Sequence, residues 1–139
     1  MNAYLDSSVV LRVVLGQPGG LAEWGDIRAG VASALVEVEC LRTLDRFRLL
    51  RRIADAEIAA RRAAVYRLLE AVEVVELDRI HLARASQPMP TELGTLDAIH
   101  LVTALLWRER RAADLVMATH DVALGTAARA SGLSVVGVS

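Results

Sequence analysis

Ala3-Tyr4-Leu5-Asp6-Ser7-Ser8 is an apolar run that stops at an acid and two hydroxyls, and its reading decides the fold. The same pattern returns at Leu115-Val116-Met117-Ala118-Thr119-His120-Asp121. Each reads as a short strand ending in a carboxylate. Two further acids, Glu39 and Asp97, sit near the starts of helical patterns. In a parallel α/β sheet the strand ends converge on one edge, and ligands bind there. Acids gathered at that edge repel one another unless a cation sits among them. Hard oxygen ligands suit Mg²⁺ or Mn²⁺.

The rest of the chain supports such a sheet. The first strand covers about residues 2–6. Gly16, Pro18, Gly19 and Gly20 break the chain before a short helix near 20–28. Val31 to Leu35 reads as the second strand. A helix follows over about 35–47, with Leu35, Val38, Leu41 and Leu44 on one stripe. Asp55 reads as the N-cap of a long helix to about Ala71, carrying Ile58, Val65, Leu68 and Leu69. Val72 to Leu77 is the third strand. Asp78 caps a short helix that stops before Pro88 and Pro90. Thr95 to Arg110 is helical, with Leu96, Ile99, Val102, Thr103 and Leu106 at helical spacing. Leu115 to Thr119, a helix from Asp121 to Ser131 ended by Gly132, and Ser134 to Val138 complete the pattern. Strands alternating with helices predict a parallel sheet covered on both faces. The length of 139 residues, without repeat or linker, predicts a single domain over 1–139.

Composition excludes several chemistries. All 16 basic residues are arginine, so a P-loop and Schiff-base catalysis are ruled out. The single cysteine, Cys40, excludes an intrachain disulfide and a Cys-rich zinc site. The run from Ala98 to Trp107 is too short to span a bilayer, and no signal peptide is visible. A cytoplasmic protein with no membrane partner is expected. Net charge is −1, but its distribution is uneven. Arg42 to Arg67 carries a local balance of +5 and the remainder −6.

Each motif also has a plainer reading. Asp6 and Asp121 suit helix N-caps, and Asp97 or Thr95 can start a helix. Glu37 and Glu39 suit the first turns of a helix, and being two apart they point in different directions. Ser8 and Thr119 are auxiliary polar groups beside the acids. His81, His100 and His120 lack metal-site spacing and read as structural or surface residues. Arg46, Arg48, Arg51 and Arg52 are either a basic binding track or the solvated face of helices, and the resemblance below makes the first an RNA-binding one.

In this order the motifs resemble the PIN-domain ribonucleases, in particular the VapC-like toxins of bacterial toxin–antitoxin pairs. The resemblance rests on Tyr4-Leu5-Asp6-Ser7-Ser8 and on Ser33 followed six residues later by Glu39, which favours Glu39 over Glu37. It continues with Leu96-Asp97-Ala98-Ile99-His100-Leu101 and Thr103-Ala104, then Thr119-His120-Asp121 with Gly132-Leu133. It implies a three-layer α/β/α fold with a five-stranded parallel sheet in the order 3-2-1-4-5. It implies Mg²⁺ or Mn²⁺ held by Asp6, Glu39, Asp97 and Asp121, with Asp6 and Asp97 as direct ligands. It further implies an RNA substrate, homodimers and a small inhibitory antitoxin. An amphipathic antitoxin helix is expected on apolar surface drawn from Leu21, Trp24, Ile27, Phe47, Leu49, Leu50 and Ile53. The helix of His81 and the helix ending at Trp107 are expected to serve self-association.

Two other classes fit the layout less well. A catalytically silent PIN-like RNA-binding or interaction module does not need all four acids. A metal-dependent phosphatase or receiver-like switch has a similar layout, but the receiver's lysine and paired acids at the first strand are missing.

Overall fold

The computed structural model describes residues 1–138. Five parallel strands form one sheet: β1 (Asn2–Leu5), β2 (Ala29–Ser33), β3 (Glu73–Val75), β4 (Val116–Ala118) and β5 (Ser134–Val136). Their order is β3-β2-β1-β4-β5, as expected. Tyr4 pairs with Val31 on one side and Met117 on the other. The chain winds outward from β1 to β3, then returns to the other side of β1 at β4. This reversal makes the carboxyl ends of β1 and β4 the topological switch point, the position at which open α/β sheets have their ligand-binding crevice.

Alternation along β1 and β2 feeds two separate cores. Ala3, Leu5 and Ala32 pack under α1 (Ser7–Val14), α2 (Leu35–Arg51) and α3 (Asp55–Ala71), against Val9, Val10, Val36, Cys40, Leu44 and Val65. Tyr4, Val31 and Met117 point the other way. They pack against Leu101, Ala104 and Leu105 of α5 (Thr95–Arg111) and Leu124, Ala127 and Ala128 of α6 (Val122–Ala130). The short α4 (Arg79–Ala85) lies beside α5. Both sheet faces are therefore covered, which is why the strands are apolar on both sides.

Several boundaries differ from the reading of the sequence. Helix α1 was not assigned there; it follows β1 directly and is capped by Asp6. The expected helix near 20–28 is a single 3₁₀ segment, Ala22–Asp26. The second strand begins at Ala29 and ends at Ser33, because Leu35 already belongs to α2. Helix α2 continues four residues beyond its expected end at 47, to Arg51, and stops at Arg52 in the left-handed region. Ala54, not Asp55, is the N-cap of α3, and no side chain caps it. Val38 and Leu96, placed on apolar stripes, are in fact exposed. Asp78 does cap α4: its Oδ1 accepts the His81 amide at 3.0 Å, and buried His81 closes the box by accepting the Asp78 amide at Nδ1 (3.4 Å).

Candidate active site

Asp6 stands at the crevice because β1 ends one residue before it. Its amide donates to Ala118 O (3.0 Å), which locks the end of β1 to the end of β4. Its carboxylate is almost fully buried. Oδ1 accepts the Ser7 amide at 2.8 Å, the cap bond of α1. Oδ2 accepts the hydroxyls of Ser8 (2.6 Å) and Thr119 (2.8 Å). Those hydroxyls in turn accept the amides of His120 (3.0 Å) and Asp121 (2.9 Å). Both lone pairs of Oδ2 are thus in use, whereas Oδ1 has, besides the Ser7 amide, only the Ser7 hydroxyl at 3.5 Å, which is nearer Glu39 Oε2 (3.3 Å), and so keeps spare capacity. The two auxiliary hydroxyls picked from the sequence are the clamp that holds Asp6.

Asp121 caps α6 through Oδ1, which accepts the Leu124 amide at 2.9 Å. Gly137 makes room for this loop: it has φ +100°, and a Cβ there would lie 2.2 Å from Thr119 O. Only glycine fits that approach. Glu39 lies in the second turn of α2 and is half-buried, while Glu37 is exposed. Glu39 Oε1 lies 2.5 Å from His100 Nε2, and Ser7 Oγ donates to Oε2 at 3.3 Å. Asp97 occupies the first turn of α5, three residues before His100 and on the same face.

The four expected acids therefore meet at one edge. The electrostatics record this: burial, then the charges of Asp121 and Asp6, push the Asp97 carboxyl up to about 6, with His100 opposing. Burial alone would depress the His100 ring. The Glu39 hydrogen bond and the charges of Glu39, Asp6 and Asp97 outweigh it and hold the ring above its usual pKa. Burial, then Asp6, pushes the Tyr4 phenol well above its usual range. It therefore remains an O–H donor, 2.7 Å from His100 Nδ1.

His100 is the residue that the sequence reading underrated. It is fully buried, bonded to Tyr4 and Glu39, with Nε2 3.8 Å from Asp6 Oδ1. Its signals in the sequence are the three-residue spacing from Asp97 and its place in the Leu96-Asp97-Ala98-Ile99-His100-Leu101 motif. His120 is half-buried beside Gly137 O, and Cys40 is a buried core thiol, as expected.

The acids are oxygen donors without an arginine bonded to any of them, which fits a hard divalent cation. Among the described residues, no three His, Cys, Asp or Glu side chains are already disposed to hold one ion together. The arginines lie elsewhere. Arg46, Arg48, Arg51 and Arg52 are exposed on the last turns of α2. At 1.5 Å per residue they stand roughly 10–20 Å along the axis from Glu39. Arg48 pairs with Asp45 (3.0 Å), and Arg51 stacks on Phe47 (4.5 Å).

The fold, the switch-point crevice and the acidic edge define a class, and sequence comparison agrees. The PIN domain matches residues 3–129, and the chain belongs to that family. Within the family it is VapC-like. It is 33% identical to Ribonuclease VapC46 of Mycobacterium tuberculosis over 140 residues, covering 98% of this chain and 97% of that protein.

Proposed function

We propose that the chain is a Mg²⁺- or Mn²⁺-dependent endoribonuclease and the toxin of a toxin–antitoxin pair. The observation that carries this reading is the convergence of four acids at the switch point, where burial first, and then the charges of Asp121 and Asp6, raise the Asp97 carboxyl to about 6. The M. tuberculosis relative is a ribonuclease, and similarity along nearly the whole chain supports the same activity here. Asp6, through Oδ1, and Asp97 would hold the ion directly. Glu39 and Asp121 would reach it through water or orient the attacking water. When bound, such an ion supplies a water acidic enough to attack phosphorus and offsets the charge developing on the phosphate. The chain itself contributes position. Ser8 and Thr119 fix Asp6, and the caps of α1 and α6 fix the backbone on which Asp6 and Asp121 stand.

Arg46, Arg48, Arg51 and Arg52 would hold the RNA backbone away from the reacting phosphate. An RNA target places the action in the cytoplasm. Leu49 and Leu50, exposed at the end of α2, would receive an amphipathic antitoxin helix, which would also send an arginine toward the acids. Leu21 is buried and does not join that surface. Self-association would use α4 and the end of α5, where Ile80 and Leu82 are exposed.

Purified protein is expected to cleave RNA with Mg²⁺ or Mn²⁺ and to stop when EDTA is added. Asp6→Asn should lower cleavage by about 10²-fold or more with the fold intact, since even a supporting residue of a metal site is worth 10–100-fold. Wild-type cleavage by Asp6→Asn at matched metal content would sink the reading. Hydrolysis of small phosphomonoesters in place of RNA would point to a phosphatase.

A further inference from the structure

We propose that His100 is a positioning residue: its imidazole, clamped between the Tyr4 hydroxyl and the Glu39 carboxylate, sets the orientation of Glu39 in the acidic site. The inference rests on the metal-dependent nuclease reading and adds a residue to it.

The geometry leaves little freedom. His100 Nε2 is 2.5 Å from Glu39 Oε1 and 3.8 Å from Asp6 Oδ1, and Nδ1 is 2.7 Å from Tyr4 Oη. A carboxylate can only accept, so Nε2 carries the proton that points at Glu39. In the neutral ring Nδ1 then accepts from Tyr4 O–H, and in the imidazolium Nδ1–H donates to Tyr4 Oη, so both nitrogens are satisfied in either state. His100 and Tyr4 are fully buried, with their rings edge to face at 5.9 Å. Turning the fully buried imidazole would break both hydrogen bonds at once.

Topology gives the clamp its purpose. Glu39 is on α2, in the layer over one face of the sheet. Tyr4 and α5 belong to the core on the other face. The bond from His100 to Glu39 crosses the carboxyl edge and joins the two layers where they meet the site. His100 also shares a helix face with Asp97, so a flexible glutamate on one layer is located against an aspartate on the other. A histidine satisfied in a core would need no acid from the opposite layer. Side chains that orient the groups around a metal contribute about 10–100-fold to affinity or rate.

Three variants test this. His100→Leu fills the space without a donor. His100→Gln places an amide N–H near the position of Nε2. Tyr4→Phe removes one hydroxyl and leaves the ring unanchored. Mn²⁺ binding to metal-free protein is measured by calorimetry, and kcat and KM with one fixed RNA oligonucleotide. His100→Leu is expected to lose about 10–100-fold in Mn²⁺ affinity and in kcat, with KM for RNA moving less than about threefold. His100→Gln should recover most of that loss, and Tyr4→Phe should fall between. The proposal is overturned if folded His100→Leu binds Mn²⁺ and turns over within about twofold of wild type. It is also overturned if Gln and Leu lose equally and in step with their melting temperatures, which is a purely structural role. If His100→Leu does not fold, wild-type Mn²⁺ affinity and kcat in both Tyr4→Phe and His100→Gln overturn it. Wild-type protein that neither binds Mn²⁺ nor cleaves RNA removes the nuclease reading, and this proposal with it. Active wild type with an unaffected leucine variant removes this proposal alone.

Discussion

Asp6 shows how one side chain reconciles two readings of a motif. As an N-cap it needs one acceptor for the Ser7 amide, and Oδ1 supplies it. As a ligand it needs a lone pair left over, and that oxygen retains one. Asp97 is different, because no cap bond holds it and its neighbours repel it. Its carboxyl titrates at about 6 instead of 3.8, with burial as the first cause and Asp121 and Asp6 behind it. Between those values the folded state keeps a proton that the unfolded state has released. Metal-free stability is therefore expected to fall as pH rises through that window. Asp97→Asn should flatten this slope and raise the metal-free melting temperature at pH 7.5 by about 2–4 °C, a gain of roughly 1 kcal/mol after solvent screening. Thermal melts of both proteins at pH 5 and 7.5, in EDTA, make the comparison. An unchanged slope in Asp97→Asn would assign the pH dependence elsewhere. With metal present the cation opposes protonation of Asp97, so cleavage is expected to be lost only at lower pH, and the midpoint of the loss to move further down as the Mn²⁺ concentration rises.

Helix ends account for most differences at the scale of elements. Helices α2 and α5 end in left-handed residues that are not glycine, Arg52 (φ 50°) and Ala112 (φ 48°). No local signal announces such a stop, which is why α2 was expected to end at 47. The left-handed conformation costs a residue with a Cβ about 1–2 kcal/mol, and glycine's larger unfolded-state entropy offsets part of that gain. Ala112→Gly is expected to stabilise by roughly 0.5–1 kcal/mol, read as a higher denaturant midpoint at constant m-value. A lower midpoint would mean that Ala112 is unstrained there. The end of α2 also carries the arginine group. If RNA tracks along it, replacing Arg46, Arg48, Arg51 and Arg52 by Gln should weaken binding across sequences and flatten the dependence on salt. The same salt slope in the fourfold variant would make the cluster a solvated face.

For the whole molecule, topology brings the site together. Asp6, Glu39, Asp97 and Asp121 come from four segments, and only the reversal of winding between β3 and β4 places β4 beside β1. No helix among the described residues is long and apolar enough to cross a membrane. The exposed apolar residues of α2 and α4 are surfaces of the kind that partners cover. Expression of the chain alone is expected to arrest growth, and co-expression with a small neighbouring antitoxin to restore it. Harmless expression of folded, metal-loaded protein would argue for a nuclease without a toxin role, or for a silent module.

The sequence by itself determined the class of fold, the sheet order through its family resemblance, and the acids. Strand patterns ending in acids are local signals, readable at Leu5-Asp6 and Thr119-His120-Asp121. Local periodicity also sufficed for α3, because its apolar positions and its ends lie within one segment. The tertiary structure decided the rest. Choosing Glu39 over Glu37 on structural grounds requires knowing which side of α2 looks toward the carboxyl edge of the sheet and His100. The role of His100 depends on Tyr4 and Glu39, which lie 96 and 61 residues away along the chain. Helix α1 is eight residues long and comes directly after a strand, so the burial of Val9, Val10 and Val14 against α2 and α3 stabilises it more than its own propensity does. Contacts between distant segments leave no periodic trace in either one, and a site built from four segments becomes visible only once the sheet has brought them to one edge.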